Sequence, residues 1–149
     1  MSSSEKRTLN IPIDEWIRLM DSGACAPAAV TPTGNSMWPM IRSGRDTIEV
    51  HPVDIKKIKP GDVVLFRRSD NQAVVHRVYR LTEDTVQTWG DNCMSPDAPV
   101  PYDSVFGIVT KVHRGPLTLN PYVAPPVINS FRKMLQSAKR IKRKICTAR

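Results

Sequence analysis

The sequence predicts a small, mainly β fold: a coiled, barrel-like sheet with a short helix before it and a basic amphipathic helix after it. Short segments rich in β-branched residues recur through the middle of the chain, separated by glycine, proline and aspartate. Apolar residues at three- and four-residue spacing mark the two ends, which is the pattern of amphipathic helices. With 149 residues, of which 40% are hydrophobic, the chain is long enough for one core and too short for two.

The first predicted element is a helix that packs against the sheet. Its apolar residues recur at helical spacing: Ile13, Trp16, Ile17 and Met20. Pro12 precedes this group and Gly23 follows it, and these residue types favour the start and the end of a helix. Packing against the sheet is the role that we expect for this helix.

Short strands make up the middle of the chain. They are predicted at residues 47–50, 63–66, 74–81, 86–89 and 106–112. Turn-forming residues lie between them, so each strand is short and bounded. This spacing is typical of a small all-β fold that coils on itself.

The last predicted element is a basic amphipathic helix that begins after Pro125 and Pro126. Its apolar residues follow one another at three- and four-residue steps: Val127, Ile128, Phe131, Met134, Leu135, Ala138, Ile141 and Ile145. All 14 acidic residues lie before residue 104, whereas eight of the 22 basic residues lie between 132 and 149. The net charge of +8 is therefore a property of this segment.

A helix of this kind has three possible surroundings. It can lie in the interface of an anionic membrane or against a partner protein, and we expect such a peripheral contact through residues 126–149. It can also pack on the β domain with its basic face in water, or contact the phosphates of a nucleic acid. No recognition motif or aromatic platform accompanies the charge, so nucleic acid is the least expected partner.

Ser36 and His76 are the candidate catalytic residues that the sequence suggests first. Ser36 lies between Gly34 and Pro39, which favour a sharp turn that presents its side chain. His76 lies in the predicted strand 74–81, on the apolar face. A serine hydroxyl needs a base within hydrogen-bond reach, and a partly buried neutral imidazole can serve as one. Taken singly, each residue also has a purely structural explanation. Ser36 can be a turn-forming serine, and His76 can be a histidine of the core.

The third group of a catalytic triad would be a carboxylate that orients the imidazole. Asp91 and Asp97 both lie in a turn-rich loop directly after the predicted strand 86–89. Either could hold the imidazole in its productive tautomer and stabilise the imidazolium ion. The sequence leaves the choice between them open.

Four segments resemble, in order and spacing, the successive boxes of the signal peptidase I superfamily. They are Gly34-Asn35-Ser36-Met37-Trp38-Pro39, Lys59-Pro60-Gly61-Asp62-Val63-Val64, Val75-His76-Arg77-Val78, and Gly90-Asp91-Asn92 with Asp97. The resemblance covers about residues 30–112. The general base of that superfamily is usually lysine, and the histidine here is similar to the endoplasmic-reticulum-type branch, which uses serine, histidine and aspartate.

The resemblance implies a serine endopeptidase that needs no cofactor and cleaves a peptide or leader after a small residue. Ser36 would be the nucleophile, with its backbone N–H binding the oxyanion, and His76 would be the base. Asp91 and Asp97 would match the two aspartates of the branch. The implied organisation is an N-terminal helix and linker at 1–29, a peptidase core at 30–124 with the signal-peptidase and repressor-protease fold, and the basic helix at 125–149.

Two departures from the superfamily's pattern bear on function. Many bacterial signal peptidases carry a hydroxyl side chain two residues before the nucleophile that assists the oxyanion site, and this chain has Gly34 there. There is also no run of about 20 apolar residues and no apolar region of a secretory signal, so we expect a soluble, cytoplasmic protein, peripheral at the membrane. A non-catalytic or regulatory peptide-binding domain is the alternative that these departures favour.

Self-cleavage is a minor alternative, because repressor-type relatives of the fold cleave themselves. Ala24-Cys25-Ala26 matches the small-x-small pattern of a cleavage site, but Pro27 follows it. Ala28-Ala29 offers a second pair of small residues. An ordinary linker explains both segments.

The cysteines suggest neither a disulfide framework nor a metal site. Cys25, Cys93 and Cys146 are an odd number and lack the spacing of metal ligands. A metal held by His51, His113 and Cys93 has no local spacing to support it. We therefore predict no metal.

Overall fold

The computed structural model describes residues 9–10, 13–23 and 27–147. Within these residues the chain is mainly β, with nine strands and two α-helices. In chain order they are β1 (Leu9–Asn10), α1 (Ile13–Asp21), β2 (Ala28–Val30), β3 (Thr47–Pro52), β4 (Val63–Arg67), β5 (Ala73–Leu81), β6 (Thr85–Trp89), β7 (Val100–Pro101), β8 (Val105–Arg114), β9 (Leu117–Leu119) and α2 (Pro125–Thr147). The predicted fold class is confirmed.

The five predicted strands correspond to β3, β4, β5, β6 and β8, and the two predicted helices to α1 and α2. Each strand extends beyond its predicted bounds at one end or both. The sequence does not predict β1, β2, β7 or β9, which have only two or three residues each. Such segments are too short to display a period-two pattern, and pairing with neighbours is what makes them strands.

The strands form one sheet that curls into a half-barrel. Its order is β1-β2-β3-β8-β4-β5-β6-β7, with β9 paired to β8. All of these pairings are antiparallel except β1 with β2. The register shifts in β3 at Glu49/Val50, in β4 at Leu65/Phe66 and in β5 between Val78 and Arg80. Such irregularities bend and twist strands, which helps the sheet to coil.

Both faces of β4 are buried, and this explains its uninterrupted apolar run. Val63 and Leu65 belong to the larger core cluster, which also contains residues of α1. Val64 and Phe66 point the other way, into a second cluster under β5, β6 and β7. Alternation across the strand therefore divides four consecutive apolar residues between two cores.

Helix α1 closes the larger core. Trp16 and Ile17 are fully buried. A Cβ atom on Gly107 of β8 would lie only 2.7 Å from a ring carbon of Trp16, so the glycine makes room for the indole. The predicted packing role of this helix is confirmed.

Helix α2 lies against the β domain with one side and faces solvent with the other. Ile128 and Arg132 are buried, whereas Val127, Met134 and Ile141 are exposed. The apolar residues predicted for a single face are thus divided between the domain and the solvent. No helix in the described part of the chain is long and apolar enough to cross a membrane.

Candidate active site

Ser36 lies in a loop of turns between β2 and β3. Met37 and Ile41 of this loop are buried in the larger core, and the N–H of Ile41 donates to the carbonyl of Met37 at 2.9 Å. Gly34 adopts a φ of +95° and donates its N–H to Ser43 Oγ at 2.9 Å. Burial of Met37 therefore anchors the turn beside Ser36, which is only partly buried and lines a cleft.

Asn92 holds the serine loop against the loop that follows β6. Its backbone N–H donates to the carbonyl of Ser36 at 2.7 Å, and its side-chain Nδ2 donates to the carbonyl of Asn35 at 3.0 Å. Two consecutive carbonyls of the serine loop are thereby tied to one residue. The backbone N–H of Ser36 donates to no acceptor within the described residues.

His76 is placed by the register of β5 against β4, where it lies opposite Val64. Its side chain is only 2% exposed, and its ring centroid lies 6.2 Å from that of Phe66. Nδ1 lies 2.6 Å from Oδ2 of Asp97. The imidazole is therefore surrounded by apolar atoms on one side and held by a carboxylate on the other.

Asp97 is tied to its neighbours by several hydrogen bonds. Oδ2 also accepts from Thr88 Oγ1 at 2.7 Å, and Oδ1 accepts from Arg68 at 3.0 Å. Its backbone N–H donates to the carbonyl of Thr88 at 2.8 Å. The carboxylate is thus fixed both through its side chain and through its backbone.

The ionisation of Asp97 determines the tautomer of His76. Burial raises the pKa of this carboxyl group. The hydrogen bonds from His76 and Thr88 and the charge of Arg68 together lower the pKa by more than burial raises it, so the net pKa lies below the ordinary value. An ionised carboxylate can only accept hydrogen bonds, so Nδ1 of His76 carries the proton. In the neutral imidazole this tautomer leaves the lone pair on Nε2, where a general base requires it.

Asp91 has different partners. Both of its oxygens accept from the guanidinium of Arg77, at 2.8 and 2.7 Å, and the two side chains are almost completely buried. Arg77 also donates to the carbonyls of Gly61 and Pro121, at 2.7 and 2.6 Å. This network joins β5, the loop before β4 and the segment before α2. Of the two aspartates between which the sequence does not choose, Asp97 is the one that contacts His76.

Ser36 and His76 line the same cleft, which has a volume of about 560 Å³. Residues 30–33 and 72–75 form two of its walls, and Gly34 and Cys93 also line it. Within the described residues no hydrogen bond joins Ser36 Oγ to His76. In enzymes without substrate this contact is often long and tightens when the substrate binds.

Gly90 brings the serine loop and the histidine close together. A Cβ atom at this position would lie 2.9 Å from the carbonyl oxygen of Ser36, 3.0 Å from Nε2 of His76 and 2.6 Å from Sγ of Cys93. Three parts of the site therefore converge on the space that a side chain would occupy. Only glycine fits there without displacing one of them.

Four residues of this site have no role there predicted from the sequence: Arg68, Thr88, Gly90 and Cys93. Thr88 carries the one available signal, because it alternates with Val86 on the buried face of β6 and so places a hydroxyl group among apolar side chains. The contributions of Gly90 and Cys93 depend on contacts between distant loops. Gly90 lies in the Gly90-Asp91-Asn92 segment of the family resemblance, which gives it no role of its own, and no local pattern indicates Cys93.

The residues considered for a metal site lie apart. His113 and His51 both contact Glu49 at the pairing of β3 with β8, with His113 Nε2 at 2.7 Å and His51 Nε2 at 3.7 Å from its oxygens. Cys93 instead lines the cleft beside Ser36. No group of three or more histidine, cysteine or acidic side chains in the described part of the chain is arranged to hold a metal ion.

Comparison with known proteins places the chain in a family. No curated protein matches the chain. Residues 8–113 match the family described as Peptidase S24-like, and this range includes Ser36, His76, Asp91 and Asp97. The match spans most of the chain and agrees with the superfamily that the four motifs resemble. The chain therefore belongs to the Peptidase S24-like family.

Proposed function

We propose that this protein is a serine endopeptidase of the signal-peptidase type, which cleaves a peptide or leader after a small residue. The observation that supports this most is the buried pair of His76 and Asp97 beside the cleft that Ser36 lines. The histidine base also leads us to propose that the chain belongs with the endoplasmic-reticulum-type branch, which uses serine, histidine and aspartate. Membership of the Peptidase S24-like family supports the broader assignment, namely that the protein is a peptidase.

The proposed mechanism follows from the position of each proton. Ser36 Oγ attacks the scissile carbonyl while Nε2 of His76 takes its proton, and Asp97 stabilises the imidazolium ion. The free backbone N–H of Ser36 donates to the oxyanion. His76 then returns the proton to the leaving amine, which departs and leaves an acyl group on Ser36. A water molecule, deprotonated by His76, hydrolyses this ester and restores the enzyme.

The edge of β5 suggests how a peptide would bind. Residues 73–76 pair with β4 on one side, whereas the pairing with β6 begins only at Arg77. Within the described residues no strand pairs with the other edge of 73–76, and this edge faces the cleft. An extended peptide could add to it as a strand and place its carbonyl near Ser36.

The experiment that tests the proposal uses a serine-reactive acylating probe read by intact mass. We expect one probe molecule per wild-type chain, and no adduct on Ser36→Ala or His76→Ala. Circular dichroism of each variant shows whether it is folded. Folded wild-type protein that stays unlabelled would move the assignment to a non-catalytic or regulatory peptide-binding domain on the same fold. The absence of a hydroxyl side chain at Gly34 is the observation that favours this second function.

Self-cleavage receives little support. Ala24-Cys25-Ala26 lies outside the described residues. Ala28 and Ala29 belong to β2, paired with Val50 and Glu49 of β3, and Ala28 is fully buried. Cleavage between them would require this strand to leave the sheet. An intact mass equal to that of the full chain after long incubation is the expected result.

We also propose that residues 126–149 hold the protein at the surface of an anionic membrane. Val127, Met134 and Ile141 are exposed at seven-residue spacing, and Lys133 and Lys142 are exposed on the same helix. Each basic side chain near an anionic surface contributes about 1 kcal/mol to binding. The full-length protein should float with phosphatidylserine-containing vesicles and not with phosphatidylcholine alone, and Met134→Glu with Ile141→Glu should abolish flotation. Protein that stays in the bottom fraction with anionic vesicles would leave contact with a partner protein as the alternative.

A further inference from the structure

One face of α2 donates hydrogen bonds to the loop that carries the active-site contacts. Arg132 donates to the carbonyl of Trp89 at 2.7 Å, and Gln136 Nε2 donates to the carbonyl of Met94 at 3.1 Å. Lys139 Nζ donates to the carbonyl of Asn92 at 2.7 Å. The three donors lie four and three residues apart, which is the spacing of one helix face. They bind backbone oxygens of the last residue of β6 and of the first part of the loop that follows it.

Among these contacts, that of Lys139 is made with Asn92, the residue that binds the serine loop. Its ammonium group also donates to Oδ1 of Asn92, at 2.8 Å. An ammonium group has donors only, so it binds the oxygen of the amide and leaves the nitrogen pointing the other way. That nitrogen donates to the carbonyl of Asn35, and the backbone N–H of Asn92 donates to the carbonyl of Ser36. Lys139 therefore selects the amide orientation in which Asn92 can bind the serine loop.

We propose that Lys139 is a positioning residue: it orients Asn92, and through Asn92 it holds Ser36 in place for acylation. The basic helix then has a role in the site itself, apart from any membrane contact of its exposed face. The expected effect on acylation of Ser36 rests on the proposed peptidase function. The expected ordering of the loop through Asn92 does not.

Residues of α2 other than Lys139 hold the helix on the β domain, so the positioning role of Lys139 can be tested separately from helix packing. Ile128 and Arg132 are buried and hold the first half of α2, with the guanidinium of Arg132 lying 4.5 Å from the centre of the Trp89 ring. Lys139 lies two turns further along and is only partly buried. Replacing it should leave the docking of α2 intact while releasing the amide of Asn92.

The test compares Lys139→Met with Lys139→Arg, which keeps a donor, and with Lys133→Met, an exposed lysine of the same helix. Probe-concentration series give the limiting acylation rate of Ser36 separately from the apparent probe affinity. A misplaced nucleophile loses up to about 100-fold in rate. We expect Lys139→Met to lower the limiting rate about tenfold or more, with affinity within about twofold, and Lys139→Arg to restore part of the rate. The assay contains no membrane, so Lys133→Met, which removes only the proposed contact of an exposed lysine with lipid, should match the wild type in acylation.

Amide hydrogen exchange supplies a readout that needs no activity. The backbone N–H of Asn92 should exchange faster in Lys139→Met than in Lys133→Met, while amides of β4 exchange at the wild-type rate. Unchanged exchange at Asn92, or an acylation rate equal to that of Lys133→Met, would overturn the positioning role. If the wild type itself is not acylated, the peptidase proposal fails, and the exchange measurement still decides whether Lys139 orders the loop.

Discussion

Nδ1 of His76 lies 2.6 Å from Oδ2 of Asp97. This contact joins β5 to the loop that follows β6, and it places an ionised carboxylate behind the imidazole. The pair is fixed from outside by Thr88 and Arg68, so neither side chain has to reorganise when the imidazole takes a proton. The same geometry distinguishes the two candidate aspartates by their partners, His76 for Asp97 and Arg77 for Asp91, and the different roles that we infer from this can be tested.

Replacing Asp97 by asparagine should reduce acylation of Ser36 by about 10⁴-fold, because an amide can hold the imidazole in the wrong tautomer. The free energy of unfolding should change by much less than the activation free energy of acylation. The measurement is the acylation rate with a serine-reactive probe, together with urea unfolding. A rate within about tenfold of the wild type would refute the role of Asp97 as the orienting carboxylate.

Asp91→Ala should have the opposite effect to Asp97→Asn: it should lower stability strongly and the acylation rate much less. The guanidinium of Arg77 is completely buried and would lose its carboxylate partner. Breaking a buried ion pair in this way costs about 3–5 kcal/mol. We expect a large loss of stability in urea unfolding, and an acylation rate per folded molecule that falls far less than in Asp97→Asn. A variant as stable as the wild type would contradict the structural role of this pair.

Gly90→Ala should inactivate the site with a smaller effect on stability than Gly107→Ala. The new methyl group at residue 90 would collide with Ser36, His76 and Cys93, at distances between 2.6 and 3.0 Å. The same change at Gly107 would strike Val50 and Trp16 in the main core, at 2.6 and 2.7 Å. Overpacking a core costs about 1–3 kcal/mol. Thermal unfolding and the acylation rate should rank the two variants in opposite orders, and the same order in both assays would speak against this assignment.

Acid should weaken the fold partly through Asp46. Hydrogen bonds from Arg114 are the main cause that lowers the pKa of this buried carboxyl group below its ordinary value of 3.8. A carboxyl group whose pKa is lower in the folded state stabilises the fold above its unfolded pKa, and this contribution disappears as the pH falls through the folded pKa.

The Asp46→Asn variant isolates that contribution. Urea unfolding between pH 3 and 6 should show the wild type more stable than the variant at pH 6, with the difference shrinking below about pH 4. Other lowered carboxyl groups, including Asp97 and Glu49, contribute equally to both proteins and cancel in this difference. A difference that stays constant with pH would contradict the linkage.

Cys93 should react slowly with alkylating reagents and block the site once it has reacted. Burial is the main cause that raises the pKa of this thiol above its ordinary value of 9.0, and the charge of Asp97 raises it further. Because the thiolate is the reactive form, the rate should increase as the pH rises toward 9. Peptide mapping after iodoacetamide treatment measures this rate at Cys93.

Alkylated protein should then lose labelling of Ser36, because Cys93 lines the same cleft. The Cys93→Ser variant is the control: it should keep its acylation rate after the same treatment. If alkylation of Cys93 leaves acylation unchanged, the thiol does not border the space that the probe enters.

The contrast between sequence and structure is clearest in the loop after β6. The order of the motifs predicts that this loop carries a catalytic carboxylate, and the period-two pattern predicts the strand that carries His76. Neither pattern distinguishes Asp91 from Asp97, because both lie in the same turn-rich segment. The choice depends on Arg77, which lies next to His76 in β5 and takes Asp91 as its partner.

Elements with local signals are predictable from the amino-acid sequence. Helix α1, helix α2 and the five longer strands follow from hydrophobic spacing and turn residues, and the motifs that lead to the family follow from their order along the chain. The tertiary fold fixes which side chains meet. It paired Asp97 with His76, brought Gly90 against Ser36 and set Lys139 on Asn92. These contacts join segments that are far apart in the chain, so register, burial and loop packing create them, and no local pattern of residues records them.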